Sequence, residues 1–452
     1  MTSISSKLIF FSLLLFTSEV DCFGQIPITT YFDPPANKKK RAEYAITDIY
    51  DSLLTGPYAS YHRNGKIAMT GQYVNGKKDG LFTEYFASGR KRLEAGFKEG
   101  KKEGPMLAYD TSGQLLQKSF FKDNQLQDSL IAWYPGGGIK SKARFERDSI
   151  EGVAIEYYKS GKIKKELTHL RGKPNGSCRE YYPSGVLNID ANYTDGYLTG
   201  NYKVYYENGQ LDTESHLEKG TKNGGFSSYT REGVKIQEGY YLDGEYHGEF
   251  RTYYPEGPIK SLVFWENGKK NGPSYYFYLS GKRKDMIVYL QDKKFEWITW
   301  YENGFIESEK KFGENEKPGR DWAYYYPNGR VKEKKSYNKD GKLSGTRTTY
   351  DSLKRKLTEE EWAHGLKTGE SKTFHSNGKV HQLFLYQGGI IKGEFREFHP
   401  TGKLHILGFY KNSKKDGKWI YTNLEGEQYK IETYRNGKLL ATKEIKFKKD
   451  KK

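Results

Sequence analysis

Two cysteines in 452 residues, Cys22 and Cys178, cannot build the disulfide framework that staples small secreted domains. Long apolar runs are missing as well. The longest, Leu8 to Phe16, falls well short of the roughly 20 residues a membrane-spanning helix needs. Only 35% of the chain is hydrophobic, 29% is charged, and mean hydropathy is −0.88. A chain this long with so little apolar material does not fill a thick globular core, and a thin, solvated sheet is expected instead. The sequence contains no His-Glu-x-x-His, no Gly-x-x-x-x-Gly-Lys-Ser/Thr and no Gly-x-Ser-x-Gly, so the expectation is a protein without catalytic activity and without a cofactor.

Glycine and tyrosine, by contrast, are abundant, at 50 and 39 residues. The glycines keep time. From Gly65 they recur every 24 residues through Gly89, Gly113, Gly137, Gly161, Gly185, Gly209, Gly233, Gly257 and Gly281. Gly304, Gly329, Leu353 as a stand-in, Gly378, Gly402 and Gly426 continue the series with one-residue slips. A second comb, Gly56, Gly80, Gly104 and onward, sits nine residues earlier. A period in this range marks a stacked array in which each unit buries its face against its neighbours, and two combs at one period suggest two turns per unit.

Tyr181-Tyr182-Pro183-Ser184-Gly185-Val186-Leu187 shows the first turn. Proline presets φ for a type I turn, and the glycine takes the left-handed position that closes a bulged hairpin. This geometry predicts that the residue four before each glycine pairs with the residue two after it. The first of these positions is aromatic (Tyr61, Tyr85, Tyr109, Trp133) and the second commonly aliphatic (Ile67, Leu115, Ile139). Period-two alternation places the aromatic eight residues after the glycine (Tyr73, Phe97, Phe121) on the same face. The tyrosines at minus three, Tyr134, Tyr158, Tyr182, Tyr206, Tyr254, Tyr278, Tyr301 and Tyr326, then point to the opposite face and form the candidate binding surface. The second turn is read as Gly-x-x-x-Gly, as in Gly76-Lys77-Lys78-Asp79-Gly80.

Gly-x-x-x-Gly followed by Tyr-Tyr/Phe-x-x-Gly-x-Leu/Ile resembles the variant form of the MORN repeat, common in bacterial proteins. The resemblance runs over residues 43–447. It implies a β-hairpin array with a binding or scaffolding role, and some members carry the label of antitoxin components. The expected fold is all-β: an elongated, twisted, single-layer antiparallel sheet of about sixteen hairpin repeats. Copies around Lys293–Glu296 and Ser352–Arg355 depart from the pattern, and irregular turns or a bend are expected there.

At the amino end, Lys7, the apolar stretch and Cys22-Phe23-Gly24 read as a secretory signal over 1–24, which predicts a periplasmic, envelope-associated or secreted protein. Residues 25–42 read as a flexible leader, 43–55 as a capping strand and 448–452 as a basic tail. No second domain and no transmembrane segment in the mature chain are expected.

His375 and His399 share the minus-three position and His381 and His405 share plus three, so these four are the candidate metal ligands. The plainer reading is that histidine replaces tyrosine at minus three. Lysine pairs in the connections (Lys77-Lys78, Lys101-Lys102, Lys269-Lys270, Lys414-Lys415) fit solvated edges, or a margin that attracts anionic envelope polymers or lipid headgroups. Nucleic acid is disfavoured for an exported chain, although the formal charge is +18. The leading expectation is a non-catalytic scaffold that binds a protein partner through its tyrosine-rich face. Its rivals are a carbohydrate or envelope-binding module and an antitoxin-like neutralising partner.

Overall fold

The computed structural model describes residues 25–32, 39–47, 49 and 52–446. The expected signal and basic tail lie outside the described residues. The fold is all-β, and the chain divides into two compact units, Met1–Tyr197 and Leu198–Lys452. Among the described residues the first unit holds fourteen strands, from Ile26–Tyr31 to Leu187–Thr194. The second holds twenty-two, from Tyr197–Tyr205 to Lys438–Glu444, with one 3-10 turn at Glu314–Glu316. Inside each unit, strands pair antiparallel with their neighbours in chain order, so every sheet contact is local in sequence. No described helix is long and apolar enough to cross a membrane.

The expected hairpin register holds at the fifteen turns that carry a glycine, and at the sixteenth it is displaced by one residue, with Tyr350 paired to Lys356. Tyr61 pairs with Ile67, Tyr85 with Lys91, Tyr181 with Leu187, Phe277 with Arg283, Trp300 with Ile306 and Phe398 with Leu404. In each of the fifteen, the glycine amide donates to the carbonyl three residues back, as Gly65 does to His62 and Gly185 to Tyr182. The closing glycine has φ of +82° at Gly65, +91° at Gly89, +84° at Gly161, +91° at Gly185, +85° at Gly209, +102° at Gly257, +76° at Gly329, +86° at Gly378 and +90° at Gly402, the conformation that favours glycine.

Several expectations need correction. The second comb does not mark a turn. The chain reverses at pairs such as Asn75-Gly76 and Glu99-Gly100, where both residues have positive φ, the two-residue hairpin that matches strand twist. Gly80 and its counterparts lie inside strands, at a bulge where the register jumps from Gln72–Asp79 to Thr70–Thr83. In the shortened copy Phe295 takes that place, and a single extra residue separates the pairs Tyr289–Lys294 and Val288–Glu296. The turn around Ser352–Arg355 is regular, but the left-handed residue is Lys354 (φ +70°), whose amide donates to the Asp351 carbonyl, and Leu353 is not the stand-in. Irregularity falls elsewhere, at the 3-10 turn and at Asn338–Gly341, where a longer turn replaces the two-residue reversal of the regular repeats.

The leader is also corrected. Ile26–Tyr31 is a strand that pairs with Lys40–Ile46, from Ile26–Ile46 to Thr30–Ala42. Its β-branched alternation satisfies the edge that the capping strand would otherwise expose. The cap itself runs Lys40–Ile46 rather than over 43–55, and Leu54 already opens the next strand.

Candidate functional site

A bulge decides which residues share a face. Beyond each hairpin turn the register moves from Tyr61–Ile67 to Ser60–Met69, leaving residue 68 extra and reversing the alternation. The plus-eight aromatics therefore leave the face of the minus-four tyrosines, against expectation. They join the minus-seven residues on a packed face, where Tyr58, Tyr73, Phe82 and Phe97 form an edge-to-face chain with centroids 5.2–5.4 Å apart. Small plus-six residues lie beneath these rings. A Cβ on Gly71 would fall 2.4 Å from the Phe82 ring, and Ala95 and Ala191 are buried at the same position. The second lysine of each connection pair caps this face. Lys78 Nζ lies 4.6 and 4.9 Å from the Phe82 and Phe97 ring centres, and Lys415 Nζ 4.1 Å from Trp419. The first lysine of each pair stays exposed.

On the other, open face the minus-four tyrosines tie hairpin to hairpin. Tyr109 donates to Glu94 at 2.6 Å, Tyr181 to Glu166 at 3.0 Å and Tyr325 to Glu309 at 2.8 Å, each glutamate standing five after a turn glycine. Burial and the adjacent Glu94 carboxylate push the Tyr109 phenol up to about 12. Glu238 is the most heavily used of these carboxylates. It accepts from Lys235 at 2.8 Å, Tyr253 at 2.5 Å and Arg251 at 3.3 Å. The hydrogen bond from Lys235, then that from Tyr253, hold its carboxyl down at about 2 instead of the ordinary 4.5. A depressed folded value means that the unfolded chain takes up the proton first. The stabilisation is therefore complete above 4.5 and lost as pH falls toward 2. With solvent screening it amounts to about 1 kcal/mol. The difference in melting temperature between wild type and Glu238→Gln should accordingly shrink between about pH 5 and pH 2; a difference independent of pH would contradict this account.

The tyrosines at minus three stand at the hairpin-turn margin. Tyr134, Tyr158, Tyr206, Tyr254, Tyr278, Tyr301 and Tyr326 each donate the phenol to a backbone carbonyl of the next hairpin, at 2.7–3.0 Å, as Tyr158 does to Tyr181. Tyr182 occupies the same position. These rings form a ladder along the turns, half-buried, with cations such as Lys332 over Tyr326 at 5.7 Å. The histidines follow the same rule. His375 Nε2 meets the Phe398 carbonyl at 2.8 Å and His399 Nε2 the Thr422 carbonyl at 3.2 Å, taking the place of the phenol. His381 and His405 pack against them with ring centres 4.3 Å apart, and His405 Nδ1 lies 3.0 Å from Glu397. Among the described residues no group of three or more His, Cys, Asp or Glu side chains is placed to hold a metal.

What the open face leaves uncommitted is its mid-strand row, at minus eight and plus seven. In the Met1–Tyr197 unit this row carries exposed Leu81, Phe120 and Val153, at 60%, 38% and 50% of full exposure, with exposed Pro105 paired opposite Phe120. Sequence reasoning missed it because parity was carried across the bulge. A sequence signal did exist in part of the array: the minus-seven aromatics Tyr58, Phe82, Phe226 and Phe395 are matched by the small plus-six residues Gly71, Ala95, Gly239 and Gly408, which identifies the packed face.

The family description that matches the chain is the MORN repeat variant, at residues 54–75, 102–123, 150–170, 174–195, 198–219, 246–267, 367–387 and 392–412. No curated protein matches. Among solved structures, the chain is similar to one titled "Crystal Structure of TcdB2-TccC3-Cdc42", at 11% identity over 91% of this chain and 28% of that one, with a TM-score of 0.14. It is similar also to "Crystal Structure of TcdB2-TccC3-TEV", at 10% identity over 91% and 26%, with a TM-score of 0.15. The chain thus spans little more than a quarter of the length of these solved chains.

Proposed function

We propose, for a chain that belongs to the MORN repeat variant family, that it is a non-catalytic, exported scaffold whose open face binds a protein partner in the cell envelope. The observation that carries this reading is the mid-strand row of Leu81, Phe120 and Val153, large apolar side chains held out on rigid strands while packing and ladder contacts are made by other positions. Apolar side chains in such a row give contact area without the entropy of ordering a loop. The export signal over 1–24 supplies the envelope address. The anionic-surface alternative has fewer lysines to call on than the sequence offers, since Lys78, Lys102, Lys270 and Lys415 are folded over aromatic rings.

Affinity capture of the mature protein from its native envelope, compared with a Leu81→Asp/Phe120→Asp/Val153→Asp variant, tests the reading. The variant is expected to keep its melting temperature and lose a protein that wild type retains. Equal recovery by both, or a turnover activity on a small molecule, would overturn it.

A further inference from the structure

On the open face of the Leu198–Lys452 unit there is a cavity of about 700 Å³ whose floor is Gly224-Gly225. That volume lies within the range of about 300–1,000 Å³ typical of small-molecule sites. The floor exists because Gly225 lacks a side chain, and nothing in the fold requires that lack. Its backbone is not in the left-handed region, and a Cβ placed on it would meet nothing within 4 Å. The other strand glycines with ordinary backbone are crowded. A Cβ would lie 2.1 Å from Phe250 at Gly239, 2.3 Å from Trp419 at Gly408, 2.2 Å from the Glu103 carbonyl at Gly96 and 2.7 Å from the Lys311 carbonyl at Gly319. Among the described strands Gly225 alone is glycine without a conformational or steric reason. The equivalent position elsewhere carries Leu81, Val153, Asn201 or Glu249. A strand glycine of this kind is what the close approach of a ligand demands.

The walls define the ligand. Tyr240 pairs directly across from Gly225 and keeps 45% of its surface exposed, so its ring borders the space the glycine opens. Asn201 and His216 face each other across the neighbouring strand pair, with Oδ1 and Nδ1 3.3 Å apart. The carboxylates in the lining are already balanced. Glu238 is held by Lys235 and Arg251, Glu249 by Arg251, and Glu214 stands 3.9 Å from Lys203. A cation would compete with these pairs, and an anion would meet three carboxylates. An uncharged ligand able to stack on a ring and exchange hydrogen bonds with amide, imidazole and carboxylate groups fits this lining. We infer that this groove is a carbohydrate-binding subsite for a neutral glycan of about two sugar rings, with Tyr240 as the stacking platform and Gly225 as the clearance beneath it. It uses the same minus-eight and plus-seven positions as the row assigned to a protein partner, but on residues of the Leu198–Lys452 unit, whereas Leu81, Phe120 and Val153 belong to Met1–Tyr197, so either assignment can fail while the other stands.

Saturation-transfer NMR on the full chain with cellobiose, maltose and N,N′-diacetylchitobiose, with spermidine as a cationic control, tests the assignment. At least one sugar is expected to receive saturation and spermidine none. Gly225→Leu, which fills the floor, should weaken that sugar by at least about tenfold while the melting temperature is kept. Tyr240→Ala should do the same from the wall, and it stands in for Gly225→Leu if that variant does not fold. No signal from any of the three sugars, undiminished binding in the folded variants, or preference for spermidine would overturn the assignment.

Discussion

Replacing Trp419 by alanine is expected to cost about 3–5 kcal/mol, the largest loss from any single side chain here. Trp419 is 2% exposed. It stacks on Phe395 at 5.3 Å, meets Tyr410 edge-on at 5.2 Å and lies over Gly408, where no Cβ would fit. Truncation removes the ring and leaves a cavity that Gly408 has no side chain to fill. Trp419→Phe should cost far less, about 1 kcal/mol, because the buried indole Nε1 has no hydrogen-bond partner to lose among the described residues. In a repeat array the damage should also stay local. Amide exchange is expected to accelerate over residues 404–435 and to stay at wild-type rates over residues 54–194. A uniform acceleration across both segments, or a loss below about 1 kcal/mol, would show that the packed face is not what holds neighbouring hairpins together.

Glu360→Ala is expected to cost about 2–4 kcal/mol for a different reason. Glu360 is buried at the plus-six position counted from Lys354, where eight of the other fifteen repeats place glycine, alanine or serine. Burial alone would push its carboxyl up, yet Lys367 at 2.6 Å, with Trp362 at 3.2 Å and Arg347 at 3.1 Å, holds it below the ordinary carboxylate range. Removing the carboxylate strands Lys367 against the Trp362 and Tyr386 rings, while Arg347 keeps Glu333 at 2.7 Å. Breaking one side of a buried pair costs more than the pair contributes, so Glu360→Leu/Lys367→Met should recover most of the loss. Denaturant midpoints of the single and double variants check this. A double variant as unstable as Glu360→Ala would mean that shape, not the stranded charge, sets the cost.

Much of the fold was legible because its signals are local. A residue that must adopt positive φ after Pro-Ser, Pro-Asn or Pro-Thr reveals itself as glycine, and the register of the two strands it joins follows from turn geometry alone. Lys354 escaped for the same reason in reverse: a lysine held at φ +70° by its neighbours gives no compositional sign. The leader strand escaped because Lys38-Lys39-Lys40-Arg41 dominates its composition, while the pairing that orders Ile26–Tyr31 is with residues on the far side of that run.

By itself, then, the chain specified the beat, the hairpin turns and the cross-strand partners at minus four and plus two, all set within a few residues of each glycine. Which face is packed, which tyrosines are spent on the ladder and where a groove opens were decided only in three dimensions. One bulged residue reverses side-chain parity, and the ladder partners are carbonyls 22 to 24 residues away. At Gly225 the deciding feature is empty space, which exists only once neighbouring strands have placed their own side chains around it.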